Sequence, residues 1–177
     1  MYCCDPDGRP DTGRMTILEV CQAIQSSTIG TGIRESAYLF PIIESSHVLG
    51  LSMSVGTVMW FDLRLLGKIM RHIPVSEVFR QLRPWMFAGF VIMVTTGSLL
   101  FSAVAADAYA NTYFRLKVVL LFVAALNMIL FHSTVDRRRS EWDKAPVPPL
   151  PARVAGLLSL ILWVGVIIAG RLFAYAV

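Results

Sequence analysis

Three histidines, His47, His72 and His132, are the side chains of this sequence best suited to hold a metal. His47 follows Glu44 by three residues, so both side chains fall within one arc of a helix. Imidazole is the commonest metal ligand among side chains, and axial histidines on facing helices hold haem b in helical bundles. His47 is therefore our first candidate for metal or haem ligation, and His132 is the second.

Small residues surround His47. Ser46, Gly50 and Ser54 are spaced by four and form a surface on which another helix can approach closely. Such a surface also leaves room for a flat cofactor between helices.

Ordinary packing explains the same residues without a cofactor. In that interpretation Glu44 and His47 form a buried hydrogen-bonded pair, or Glu44 contacts Lys117 or Arg171, which lie toward the same end of their spans. Buried charges need such partners because an unpaired charge in hydrocarbon costs at least ~2.5 kcal/mol. Both interpretations stay open at this point.

His132 lies deeper in its span than His47. His47 is about nine residues, and His132 about eighteen, from the same membrane edge, a difference of ~14 Å along the membrane normal at ~1.5 Å per residue. One haem held by both is therefore disfavoured, and two separate sites fit better. His132 approaches the loops, where His72 could join it. Alternatively, His132 is an interfacial histidine next to Asp136.

The composition indicates the elements that position these residues. Of 177 residues, 55 % are hydrophobic and 16 % charged, and the mean hydropathy is +0.61. These values exclude a typical soluble enzyme, a disordered chain and a disulfide-rich module. Four windows reach the ~20 apolar residues that cross ~30 Å of hydrocarbon: 38–61, 85–105, 114–135 and 153–175. We predict an all-α, polytopic four-helix transmembrane bundle.

Basic residues predict the orientation. Ten of the sixteen Lys and Arg residues cluster in the first and third loops: Arg64, Lys68, Arg71, Arg80, Arg83, Arg137, Arg138, Arg139, Lys144 and Arg153. Positive loops favour the cytoplasm, so both termini face the periplasm or the outside of an inner (plasma) membrane. The basic clusters have no nucleic-acid-binding motif around them, and the partner they indicate is the lipid bilayer.

Shorter segments flank the spans. Residues 1–15 form a polar leader, a start-site extension if translation begins at Met15, and 16–177 form a single transmembrane domain. An amphipathic pattern over 16–35 predicts a short helix in the outer interface, loosened by Gly30 and Gly32. The segment between Pro74 and Pro84 predicts a separate short helix.

Several motifs of soluble chemistry are missing from the sequence. It has no Cys-x-x-Cys-His for covalent haem, no Gly-x-Ser-x-Gly and no His-Glu-x-x-His. We therefore expect no stand-alone catalytic activity. Asn127 and Thr95-Thr96 are predicted to bond neighbouring helices, and Asp62-Leu-Arg64 to mark a helix boundary.

The order of motifs resembles an uncharacterised bacterial four-helix membrane family, a domain of unknown function. The likeness covers about residues 16–177 and rests on these runs: Ile33-Arg-Glu-Ser, Phe40-Pro-Ile-Ile-Glu-Ser-Ser-His-Val-Leu-Gly, Asp62-Leu-Arg-Leu-Leu-Gly, Thr96-Gly-Ser-Leu-Leu-Phe, Asn127-Met-Ile-Leu-Phe-His and Gly170-Arg-Leu-Phe-Ala-Tyr. More distantly, the architecture is similar to copper resistance protein D and b-type cytochrome bundles. That similarity implies haem b or copper near His47 first and His132 second.

The leading hypothesis is a module for electron transfer that binds haem b or a quinone. His47 would be an axial ligand, with Glu44 or Arg171 tuning the site, and a membrane or periplasmic protein would be the redox partner. One alternative is a copper- or proton-handling transport protein, and another is a non-catalytic accessory subunit of a larger membrane complex. Small-residue helix faces would also suit a homo-oligomer.

Overall fold

The computed structural model describes residues 16–176. This part of the chain is mostly helical and contains no strand. Four helices in this range are long and apolar enough to cross a membrane. They are α3 (Leu39–Leu65), α4 (Val75–Ala110), α5 (Thr112–Leu130) and α7 (Leu150–Ala176). The prediction of an all-α protein with four spans is confirmed. The leader 1–15, with its alternative start, lies outside the described residues.

Shorter helices occupy the ends of the bundle. Before the first span lie α1 (Ile17–Gln25) and α2 (Thr28–Glu35). After α5 come a π-helical turn (Phe131–Val135), a 3-10 turn (Asp136–Arg138) and α6 (Arg139–Trp142). The end of the bundle that carries the 66–74 and 143–149 loops is called the basic end below.

The prediction of a separate helix between Pro74 and Pro84 is wrong. Helix α4 begins after Pro74 and continues through Pro84 to Ala110, so the predicted span 85–105 is the central part of a 36-residue helix. A proline leaves the carbonyl four residues earlier without its helical partner. Here that residue is the exposed Arg80, at the polar end of the helix, where water can satisfy the carbonyl.

The non-helical backbone in α4 lies instead at Val104, with φ −134° and ψ 28°. Beside it, the Ala106 amide donates to Gln25 Oε1 at 2.6 Å, and Gln25 Nε2 donates to Asp107 Oδ2 at 3.2 Å. Gln25, the last residue of α1, thus provides the bonding partner that a break in a helix requires.

Residues 16–35 form two helices rather than the single predicted one. The break falls at Ser26-Ser27, where the Ser27 side chain accepts from the Gly30 amide and caps α2. Gly30 does not loosen the helix. It permits contact with α4, since a Cβ there would lie 2.5 Å from the Ser102 carbonyl oxygen. The segment therefore packs against the end of α4 opposite the basic end.

Helices α3 and α4 are antiparallel and approach closely at small residues. A Cβ on Gly89 would lie 2.5 Å from the Ser54 amide nitrogen, and a Cβ on Gly50 would lie 2.8 Å from Ile92 Cγ2. Backbones come this close only where the side chain is a hydrogen atom. The prediction that Gly50 and Ser54 form a helix-packing surface is therefore confirmed.

Helices α5 and α7 form a second antiparallel pair. Asn127 Nδ2 donates to the Ala155 carbonyl at 3.1 Å, as predicted for a polar residue between spans. Nearer the other end, a Cβ on Gly165 would lie 3.2 Å from Leu120 Cδ1. The pair is thus held by one interhelical hydrogen bond and by close apolar packing.

The two pairs meet at both ends of the bundle. Phe114 of α5 stacks on Phe101 of α4 at a ring-centroid distance of 5.7 Å, opposite the basic end. At the basic end, Gly156 brings α7 against α3, because a Cβ there would lie 3.2 Å from the Asp62 carbonyl oxygen. These contacts join the pairs into one bundle.

Arg64, in the last turn of α3, is fully buried and holds both loops of the basic end. Its Nη2 donates to the carbonyls of Ile73 at 2.9 Å and Ala145 at 3.2 Å. The Asp143 carboxylate connects the 143–149 loop to the first turn of α4, because it accepts from the Ser76 amide and the Ser76 hydroxyl, each at 2.7 Å. The two loops that the sequence places on one side are thus in contact.

We expect Gly89→Ala to destabilise the protein by about 1–3 kcal/mol, because the new methyl group would force α3 and α4 apart. Gly56→Ala is the matched control on α3, since no atom lies within 4 Å of its Cβ position. Thermal unfolding in detergent micelles measures both. Equal melting temperatures for the two variants would contradict the packing described for Gly89.

We expect Asp143→Ala to cost about 1–2 kcal/mol at neutral pH, the usual loss for a helix-capping carboxylate. Burial disfavours the charged carboxyl, but hydrogen bonds from Ser76 and the nearby arginines outweigh it and lower the pKa of Asp143. Because the pKa of Asp143 is lower in the folded than in the unfolded protein, the charged carboxylate stabilises the fold at pH values above the ordinary aspartate pKa of about 3.9. This stabilisation is lost as the pH falls through the pKa of the folded protein. The wild-type advantage should therefore be constant above about pH 5 and shrink below pH 4.

Unfolding curves of wild-type, Asp143→Ala and Glu141→Ala proteins across this pH range test that expectation. Glu141→Ala, which removes an exposed acid of α6, is the matched control. A pH-independent difference between the wild type and Asp143→Ala would contradict the role of the charge.

Candidate functional site

His47 of α3 lies against α4, where its ring rests on a glycine. A Cβ on Gly97 would lie 3.1 Å from His47 Cε1. The ring is half-buried, and its Nδ1 lies 3.0 Å from Thr96 Oγ1. The contact between His47 and Thr96 continues the antiparallel register of Ser54 with Gly89 and of Gly50 with Ile92, so the packing of α3 on α4 places the imidazole.

The hydrogen bonds of Thr96 assign the tautomer of His47. The Thr96 hydroxyl donates its single proton to the Ile92 carbonyl at 2.6 Å, so its oxygen can only accept from the ring. Thr96 therefore requires a proton on Nδ1, which leaves the lone pair on Nε2 available to a ligand.

Each of the four spans contributes a residue at the level of His47. Thr96 lies opposite on α4, and Lys117 of α5 lies within electrostatic range of the ring. The Lys117 side chain crosses α7 at Gly170, where a Cβ would lie 3.7 Å from Nζ. We call these four residues, His47, Thr96, Lys117 and Gly170, the His47 layer.

Glu44 does not pair with His47. Its side chain is exposed, and within residues 16–176 it forms no hydrogen bond or ion pair with His47, Lys117 or Arg171. The alternative of a buried Glu44–His47 pair, or of a Glu44 contact to either cation, is therefore wrong. Residues three apart on a helix diverge by about 60°, and here His47 lies against α4 while Glu44 lies on the exposed side.

Arg171 follows Gly170 on α7 and is exposed. Its guanidinium lies 5.5 Å from the centroid of the Tyr175 ring. Arg171 is thus next to the His47 layer along the chain, with its charge directed to the end of the bundle.

His132 lies at the other end of the molecule. It is exposed in the π-helical turn, with Nδ1 3.0 Å from the Met128 carbonyl oxygen and its ring 6.1 Å from that of Phe79 on α4. Thr96 and Phe79, the α4 neighbours of the two histidines, are 17 residues apart in the helix, about 25 Å. His47 and His132 therefore lie too far apart to be the axial ligands of one haem.

His72 is exposed in the 66–74 loop. Within residues 16–176, no group of three His, Cys, Asp or Glu side chains is arranged to hold a metal ion. A site that needs several protein ligands is thus not formed among these residue types in the described part of the chain.

The burial of two charged residues, Asp62 and Arg64, was not predicted from the sequence. Asp62 and Arg64 were predicted only to mark a helix boundary, yet they are 4 % and 0 % exposed. Asp62 Oδ2 and Arg64 Nη1 lie buried without a hydrogen-bond partner among residues 16–176, although Ser159 of α7 is close to Asp62. The signal available in the sequence was the presence of two charged residues in the last turns of an apolar span, where they are close enough to the bundle to be buried.

The fold and the His47 layer together define a class of protein, a four-helix integral membrane bundle with one histidine half-buried among its spans. The chain belongs to a family of unknown function, DUF6644, whose model matches residues 29–176. The searches of curated proteins and of solved structures found no match. The expectation of an uncharacterised membrane family is confirmed, whereas the likeness to copper resistance protein D and to b-type cytochromes stays a prediction.

We expect Thr96→Val to release the tautomer of His47 and to cost about 1 kcal/mol, because the hydroxyl acceptor is lost while the side-chain shape is kept. Thr96→Ser keeps the hydroxyl and is the control. Nitrogen-15 NMR of labelled histidine, with the signal assigned by its loss in His47→Gln, reports which nitrogen carries the proton. An unchanged His47 signal in Thr96→Val would contradict the assignment.

Proposed function

We propose that the protein is an integral membrane module that binds haem b through His47 and takes part in electron transfer. The observation that carries this proposal is the chain of hydrogen bonds from His47 Nδ1 to Thr96 Oγ1 and on to the Ile92 carbonyl. Ligating histidines usually donate their second ring N–H to such a partner, which fixes the ring and makes it a better ligand.

The residues at the level of the His47 layer suit a haem. His47 would supply a ligand nitrogen, and the cation Lys117, with Arg171 beside the layer, would suit the two anionic propionates. Lys117 forms no ion pair within residues 16–176, so its charge is available for this role. When bound, haem iron exchanges single electrons at a potential set by its ligands and their hydrogen bonds.

A quinone fits the same site less well. A quinone carbonyl accepts hydrogen bonds, whereas the assigned tautomer presents a lone pair at Nε2. A quinol hydroxyl could donate to Nε2, so the reduced form is the better quinone-class ligand. Copper is supported less than haem, since a haem needs one or two protein ligands and no group of three His, Cys, Asp or Glu side chains within residues 16–176 is arranged to hold a metal ion.

Proton handling is the second candidate function, and the buried Asp62 favours it. An ionisable side chain inside a span is expensive to keep there and is by default a candidate functional residue. His47 and Asp62 would then be proton-exchanging groups at the two ends of α3. If His47 binds no cofactor, and neither His47 nor Asp62 exchanges a proton, the remaining alternative is a non-catalytic accessory subunit of a larger membrane complex.

The proposed setting is the inner membrane, with the basic end in the cytoplasm by the positive-inside rule. The His47 layer then lies toward the periplasmic side, and a membrane or periplasmic redox protein is the expected partner. Association of two copies through small-residue faces also remains a prediction.

Protein purified from cells supplied with ample haem tests the leading proposal. We expect a Soret band and a reduced-minus-oxidised haem b spectrum from the wild type, and their loss in His47→Ala, because the axial nitrogen is removed. His132→Ala is the matched control and should retain the spectrum. The proposal is overturned if the wild type carries no haem, or if His47→Ala binds haem as well as the wild type.

A further inference from the structure

A groove of about 700 Å³ opens beside α4 at the basic end. On one side it is lined by Arg80 and Arg83 of α4, with Arg139 of α6. Pro84 and Phe87 continue the lining along α4. These four α4 residues follow the spacing i, i+3, i+4 and i+7, which places them on a single face of the helix, and Ser76 and Phe79 of α4 complete the lining.

This face changes from charged to apolar along the helix. Arg80 and Arg83 precede Pro84 in the polar part of α4, and Phe87 follows in the predicted hydrocarbon-spanning part. Phe87 is 69 % exposed, and its neighbour Trp85 is 59 % exposed. Tryptophan is enriched where a span meets the headgroups, so the groove lies across the membrane interface.

The acidic residues around the groove are already engaged. Glu77 accepts from Arg80 at 2.7 Å, and Asp136 forms an ion pair with Arg139, whose guanidinium also lies 5.2 Å from the centroid of the Phe79 ring.

Asp143, the third acid, is bonded to the Ser76 amide and hydroxyl. Arg83 is exposed and forms no ion pair within residues 16–176. Arg83 is therefore left with its full charge, beside the remaining N–H donors of Arg80 and Arg139.

We propose that this groove binds the headgroup of an anionic phospholipid. The phosphate is held by Arg83 and Arg80, since guanidinium groups match phosphate in charge and in paired donor geometry. An acyl chain lies along Pro84 and Phe87. The apolar continuation of the groove is what favours a lipid over a soluble phosphate ion, which would use only the charged half.

Purified protein in neutral detergent, titrated with phosphatidylglycerol, tests this site. We expect the melting temperature to rise, with apparent binding weakened about tenfold or more in Arg80→Gln/Arg83→Gln, because charge-assisted hydrogen bonds to the phosphate are lost. Phosphatidylcholine and inorganic phosphate at the same concentrations should give smaller shifts. Arg115→Gln, an exposed arginine at the other end of the bundle, is the matched control and should bind like the wild type.

Both arginines of the double variant are exposed, so it should fold with the wild-type melting temperature when no lipid is added. Native mass spectrometry provides a second readout as the number of phosphatidylglycerol molecules retained per chain. Equal shifts with phosphatidylglycerol and phosphatidylcholine would overturn the proposal, as would equal weakening by Arg115→Gln. A shift produced fully by inorganic phosphate would instead identify a soluble anion site.

Discussion

The close approach of α3 and α4 is the constraint on which the rest of the structure depends. Lipid chains are as apolar as the helices, so spans associate through close packing and interhelical hydrogen bonds. Gly50, Ser54 and Gly89 provide the packing and fix the register of the two helices. That register puts His47 on Gly97 and opposite Thr96. The position of His47 is thus a consequence of small residues up to two turns away.

The polar groups of the bundle lie toward its two ends and have different roles there. At the basic end Arg64 and Asp143 bind backbone groups, and so hold the two loops together. The first turns of α4 are positioned by these bonds, and with them the arginines of the groove. At the other end His47 keeps one nitrogen without a partner among residues 16–176. The bonds of Arg64 and Asp143 are thus internal to the protein, whereas that nitrogen is open to a ligand.

Much of the fold could be predicted because membrane spans are a matter of length and hydropathy. The short helices could not, because tertiary contacts decide them. From the sequence alone, Gly30 predicts a break in the helix. It lies instead within α2, where the absence of a side chain leaves room for the Ser102 carbonyl of α4. Pro84 suggests a helix boundary, yet the Arg80 carbonyl that it leaves without a helical partner lies at the polar end of α4. In the candidate site, the cost of burial draws attention to His47, which is half-buried between the spans. Whether His47 pairs with Glu44 depends on the direction in which each side chain points, which the sequence does not show.

The position of His47 constrains how a haem-binding protein of this shape would work. Electron transfer needs an edge of the cofactor near the partner, and the half-buried ring lies away from the basic end. With the basic loops in the cytoplasm, exchange would occur toward the periplasmic side. Arg115, Lys117 and Arg171 all lie at that end, so the field there would attract anionic groups, whether propionates or the acidic surface of a redox partner. With His132 about 25 Å away along α4, a second cofactor would be needed to carry electrons across the membrane.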